Sequence, residues 1–111
     1  MKVVVNPEAE SEVESIWSQY ADDRPSAAFA FARRYEQLLK MMGDFPKATP
    51  VAFRSTRGHD VRIRPIPQFP KLLAFYTVHA THVELLRIIH GARDWMAAFE
   101  HRPSQHEGED A

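Results

Sequence analysis

Apolar residues recur at helical spacing as far as Met42 and at strand spacing from Val61 to Ile89. Ala9, Val13, Ile16, Trp17 and Tyr20 fall on one side of a helix, which predicts an amphipathic helix from Pro7 to Ala21. Asn6 suits its N-cap, because its side-chain oxygen can accept from a free first-turn amide. Pro7 suits the first helical position, where a missing amide costs nothing. Glu8 and Glu10 lie where the helix dipole favours acids. The face carrying Glu10, Glu12, Glu14 and Ser18 reads as solvated. Asp22-Asp23-Arg24-Pro25 breaks this helix and opens a second, whose stripe is Ala28, Phe31, Tyr35, Leu38 and Met42, widened by Leu39. Gly43 reads as its C-terminal cap, and Pro46 blocks continuation. The short link predicts a helical hairpin.

Lys2 to Val5 reads as a short strand, and Lys47 to His59 as a loop with a short extended piece at Val51-Ala52-Phe53. From Asp60 to Ile66 the chain alternates, with Val61 and Ile63 on one side and Arg62 and Arg64 on the other, the mark of a half-exposed strand. Pro65, Pro67 and Pro70 limit ladder bonding and point to an edge position or a bulge. Leu72 to Val78 is apolar on both faces and predicts a central strand. His79-Ala80-Thr81-His82 is the turn of a hairpin, and Val83 to Ile89 its return strand. Asp94 can cap a short helix through Trp95, Met96, Ala98 and Phe99. The expected class is α+β, with a helical hairpin on one face of an antiparallel three-stranded sheet. A single domain is expected over residues 1–101 and a flexible tail over 102–111, where no apolar anchor remains.

Composition narrows the function. No apolar run approaches the ~18 residues of a membrane span, and no cysteine is present, which excludes disulfides and thiolate metal sites. Lys2 to Asn6 lacks a signal-peptide pattern, since Pro7 and four glutamates follow, so a cytoplasmic location is expected. The net charge of −1 hides an asymmetry: residues 1–23 carry one base and six acids, a net of −5, and residues 54–93 carry seven bases and two acids, a net of +5. The second region suits an acidic partner, while the charge of the whole chain argues against general or sequence-specific nucleic-acid binding.

The stretch Leu85-Leu86-Arg87-Ile88-Ile89-His90-Gly91-Ala92-Arg93-Asp94-Trp95 ends an apolar strand in a polar switch. It brings an imidazole, a guanidinium and a carboxylate to the rim of a sheet, with Gly91 freeing the backbone. Arg87 interrupts the apolar run, which costs desolvation unless it is paired. It reads either as half of an internal salt bridge or as an anchor for a partner's carboxylate. Arg62 and Arg64 share the second reading, because arginine pairs carboxylates in a bidentate manner. His90 reads as a structural hydrogen-bonder or a target contact, Asp94 as a cap, and Trp95 as a packing residue or, if exposed, a contact. His79 and His82 flank a turn and read as solvated. Neither a metal site nor a cofactor is expected.

The chain resembles the ParE and RelE toxins of toxin–antitoxin systems, and ParE more closely. The resemblance runs from Val3 to about Phe99. It rests on Asn6-Pro7-Glu8-Ala9-Glu10 through Ile16-Trp17-Ser18-Gln19-Tyr20, on Arg24-Pro25-Ser26-Ala27-Ala28, on Gln68-Phe69-Pro70-Lys71-Leu72-Leu73-Ala74-Phe75-Tyr76, and on Leu85 to Asp94. It implies a small toxin neutralised by a cognate antitoxin in a higher-order hetero-oligomer. Through ParE it implies DNA gyrase as the target, and through RelE cleavage of mRNA on the ribosome. RelE-type cleavage uses basic residues across the sheet and a tyrosine in the C-terminal segment. Leu73 and Phe99 stand where that arginine and tyrosine are expected, and Arg93 alone matches. Apolar side chains cannot move protons, so the resemblance favours a gyrase-binding toxin over a nuclease, with a toxin-fold protein of lost or different activity as the further alternative. It implies target contacts at His90, Arg93, Asp94 and Trp95, and antitoxin contacts at Arg62, Arg64 and Arg87.

Overall fold

A computed structural model describes residues 1–91 and 95–100. In chain order the elements are β1 (Lys2–Val5), α1 (Pro7–Asp23), α2 (Pro25–Asp44), β2 (Val51–Arg54), β3 (Asp60–Ile66), β4 (Phe69–Val78), β5 (His82–His90) and α3 (Trp95–Glu100). The expected 102–111 tail, with Arg93 and Asp94, lies outside the described residues.

Both helices start where the sequence places them. The Asn6 side chain accepts from the Glu8 amide at 2.8 Å, and a proline occupies the first turn of each helix. The end of α2 departs from expectation. Gly43 is inside the helix, which runs on to Asp44, and the Phe45 amide closes the last turn on the Met41 carbonyl. Glycine is needed there for close approach. A Cβ at Gly43 would sit 2.6 Å from the Met1 carbonyl oxygen, and the Met1 amino group donates to the Gly43 carbonyl. Gly91 acts in the same way: a Cβ there would press on the Leu73 side chain at 3.2 Å, while its amide donates to the Lys71 carbonyl.

The sheet has five strands in the order β1-β5-β4-β3-β2, not three. β1 runs parallel to β5, Lys2 opposite His82 and Val5 opposite Leu85, and the remaining pairs are antiparallel. The prolines at the end of β3 mark a register shift between Pro65 and Ile66, and β2 covers the edge that they had suggested. A second shift pairs Tyr76 with Leu85 and Phe75 with Arg87, leaving Leu86 as the extra residue of a bulge on β5.

The two faces of the sheet bury separate clusters. The helical hairpin covers one with Ala9, Phe31, Leu38 and Met42, packed on Leu72, Ala74, Tyr76, Val83, Leu85 and Ile88. On the other face Val61, Phe75 and Ile89 are closed by Phe99 of α3, with Phe53, Leu73, Leu86 and Trp95 packed around them. This double burial explains why β4 is apolar at successive positions.

Candidate functional site

Arg87 is filled from within the chain. Because β1 stops at Val5 while β5 continues to His90, the outer edge of β5 is open beyond Leu85. Glu12 of α1 closes it. One of its carboxylate oxygens accepts from the Ile88 amide at 2.8 Å, and the other from Arg87 Nε at 2.9 Å and Nη2 at 2.5 Å. Glu8 lies 3.9 Å from Arg87 Nη1, which also donates to the Ala98 carbonyl at 3.0 Å. Arg87 is 9% exposed. The internal salt bridge is therefore the reading that the geometry takes, and Arg87 is not offered to a partner carboxylate in this conformation. The same geometry overturns the solvated reading of Glu12. A glutamate on the polar side of a helical wheel carries no mark of such a role.

Arg62 and Arg64 are different. They project on the hairpin side of β3, opposite Tyr76 and Ala74. Each donates to Thr49 of the preceding loop, Arg62 to its carbonyl and Arg64 to its hydroxyl. Among the described residues, neither faces a carboxylate in an ion pair. They are half-buried guanidiniums with neutral partners.

An apolar groove runs between α1 and α2. Its volume is about 460 Å³, and its lining is Val13, Trp17, Phe31, Ala32, Tyr35 and Leu39, with Glu14 and Glu36 at the rim. Trp17, expected in the buried stripe, is 43% exposed here. Burial, with Glu10 nearby, pushes the Tyr35 hydroxyl up to about 12, so it stays neutral in the groove. Sequence periodicity marked these residues as apolar helix positions, but it could not tell the floor of a groove from the centre of a core.

At the rim, β5 delivers His90 to an exposed position opposite Leu72. Trp95 is half-buried and packs on Phe53 and Phe75 with ring centroids 5.7 and 5.5 Å away. Phe99 stacks on Phe75 at 5.2 Å and is 3% exposed. Both aromatics therefore close the second cluster, and Met96 is a large exposed apolar residue of α3. His79 and His82 are not simply solvated. They are half-buried beside Glu84, whose carboxylate accepts from Asn6 and is bonded to the His79 ring. Burial alone would raise the Glu84 carboxyl, but these hydrogen bonds and the charges of His79 and His82 outweigh it and hold the group below its ordinary value.

Residues 3–95 match the family model described as the ParE toxin of the type II toxin–antitoxin system parDE. The chain belongs to the ParE toxin family. Among solved structures, the chromosomal ParDE toxin–antitoxin system from P. aeruginosa is similar, with a TM-score of 0.64 at 18% identity, over 81% of this chain and 95% of that one. At that identity the likeness is one of fold. No curated protein matches the sequence.

In this ParE toxin Leu73 and Phe99, two of the positions that the RelE resemblance singles out, lie on the side of the sheet that α3 covers, and Arg93 lies outside the described residues. Leu73 packs against the cluster that Phe99 closes, so both are committed to apolar packing. Among the described residues, no helix is long and apolar enough to cross a membrane.

Proposed function

We propose that this toxin is held inactive by a cognate antitoxin that lays an apolar helix in the α1–α2 groove and sets acidic side chains against Arg62 and Arg64. The observation that carries this reading is the half-exposed Trp17 above a groove floored by Phe31 and Leu39. Large aromatics in such grooves are where binding energy concentrates. Guanidiniums held by Thr49 can exchange a neutral acceptor for a charged one at little loss. The antitoxin would be acidic in its C-terminal half and would fold on binding, with the two proteins assembling into a higher-order complex. Trp17→Ala should weaken that complex by about 30-fold or more, the range of a hot spot. Arg62→Glu with Arg64→Glu should weaken it further and flatten its salt dependence. Unchanged affinity and unchanged salt slope in the charge-reversed protein, with folding verified by a thermal melt, would refute the electrostatic part.

Released toxin, in this reading, acts in the cytoplasm by binding DNA gyrase and cuts no RNA. Family membership supports gyrase, and the packing of Leu73 and Phe99 leaves those positions without proton donors or acceptors. The target-facing edge would be the end of β5 around His90 with the open side of Trp95; Arg93 and Asp94, assigned to the same role, lie outside the described residues. Purified toxin should inhibit supercoiling by gyrase and leave ribosome-bound mRNA intact. Cleavage of mRNA at ribosomal A-sites, with gyrase unaffected, would overturn the assignment.

A further inference from the structure

The β4–β5 hairpin carries a side-chain cluster that lies outside the antitoxin and target contacts proposed above. His79 and His82 flank its two-residue turn, and the His79 amide donates to the His82 carbonyl at 2.8 Å. Glu84 follows His82 by two residues, so it stands on the same face of β5. The hairpin therefore projects two imidazoles and a carboxylate from one face, on the side opposite the helical hairpin. The rings of His79 and His82 lie 4.5 Å apart between centroids. One donor atom from each of His79, His82 and Glu84 falls within 4.8 Å of the other two.

We propose that His79, His82 and Glu84 bind a divalent transition-metal ion, zinc above all. Around a tetrahedral ion with bonds of about 2.0–2.1 Å, donor atoms sit roughly 3.4 Å apart. Rotation of half-exposed side chains closes the remaining gap without moving the backbone, which the hairpin turn holds. The surrounding bonds aim the donors. His82 Nδ1 lies 3.0 Å from the Thr81 hydroxyl, which leaves Nε2 for a metal. Glu84 Oε2 accepts from Asn6 Nδ2 at 3.3 Å, and Oε1 is turned toward His79 Nε2 at 2.9 Å. An outer hydrogen bond of this kind orients a ligating carboxylate. A metal would replace the His79–Glu84 contact with two ligand bonds. Two nitrogen donors and one oxygen suit zinc, nickel or copper and not magnesium or calcium, which take oxygen shells. Three protein ligands leave the fourth position to water. The His59 ring lies 5.8 Å from that of His79 between centroids.

The test is titration of the untagged full chain with zinc chloride, read by calorimetry and by thermal melting, with cobalt as an optical substitute. We expect one saturable site whose occupancy produces tetrahedral cobalt absorption in the visible. With zinc a hundredfold above its Kd, Tm should rise by roughly 10–20 °C. His82→Ala and Glu84→Gln should each weaken binding more than tenfold while the metal-free protein still melts cooperatively. If either variant fails to fold, His79→Gln serves in its place. Absence of a saturable site overturns the proposal. So does binding that survives intact in these variants, because the metal would then sit elsewhere in the chain.

Discussion

Removing the Glu12 side chain should be among the most damaging single changes to this protein, although the residue lies on the polar side of α1. Glu12→Ala deletes both side-chain bonds to Arg87 and the acceptor for the Ile88 amide. It leaves a guanidinium that is 9% exposed. Breaking a buried ion pair on one side costs about 3–5 kcal/mol, because the other charge stays behind without a counter-charge. Glu8 at 3.9 Å and the Ala98 carbonyl at 3.0 Å remain to hold part of that charge, which sets the expectation near the lower bound, about 3 kcal/mol. For a domain of this size that is a fall in Tm of roughly 12–24 °C. Thermal and urea unfolding of the free toxin measure it directly. Glu14→Ala is the control: it is exposed on the same helix and should change stability by less than ~0.5 kcal/mol. Adding Arg87→Met to Glu12→Ala should recover most of the loss, because the stranded charge leaves with the arginine. A Glu12→Ala protein within about 1 kcal/mol of wild type would show that Arg87 is solvated in solution, and the account of this strand edge would fall.

Phe99→Ala should cost about 3–5 kcal/mol, since the ring is buried on Phe75 and Phe53; a denaturation curve that overlays wild type would remove α3 from the core. Gly43→Ala should destabilise by about 1–3 kcal/mol, because the new methyl meets the Met1 carbonyl oxygen at 2.6 Å. Deleting Met1 along with it should restore stability, and failure to restore it would place the strain elsewhere. Tyr35 ionises near 10.0 when solvated and at about 12 in the fold, so the folded chain holds its proton more tightly. Its contribution to stability is complete below pH 10 and is lost as the pH rises toward 12. Wild-type stability should therefore fall more steeply than that of Tyr35→Phe across that window, and parallel curves would contradict the burial of the hydroxyl.

What the sequence displayed and what it concealed follow from the range of the interactions involved. The helical hairpin was legible because period, caps and breakers are all local: Asn6, Pro7, Pro25 and Pro46 act within a turn of where they stand. The bulged β3, the central β4 and the turn at His79–His82 were legible for the same reason. The five-stranded sheet was not. β1 joins it by parallel pairing with β5 across nearly the whole chain, and four residues of Val-rich strand say nothing about which neighbour they will meet. β2 is four residues long and mostly exposed, so it offered no alternation to read.

The candidate sites turn on the same distinction, and they reverse an intuitive rule. Arg87 broke an apolar pattern and Trp17 conformed to one, so a search for anomalies selects Arg87 as the partner-facing residue. The fold does the opposite. β1 ends three residues short of Ile88, and the open edge draws Glu12 across to neutralise Arg87. The two helices part enough to leave Trp17 at a groove mouth. A charge inside an apolar strand marks a site only when no neighbouring element supplies its counter-charge, and that depends on where another strand stops. An aromatic on a helical stripe belongs to the core only when the stripe is covered over its full width. For this toxin, the residues that keep the fold are therefore Glu12 and Arg87. Those proposed to engage other molecules lie at Trp17, at Arg62 and Arg64, at the end of β5 around His90, and on the hairpin face where His79, His82 and Glu84 converge.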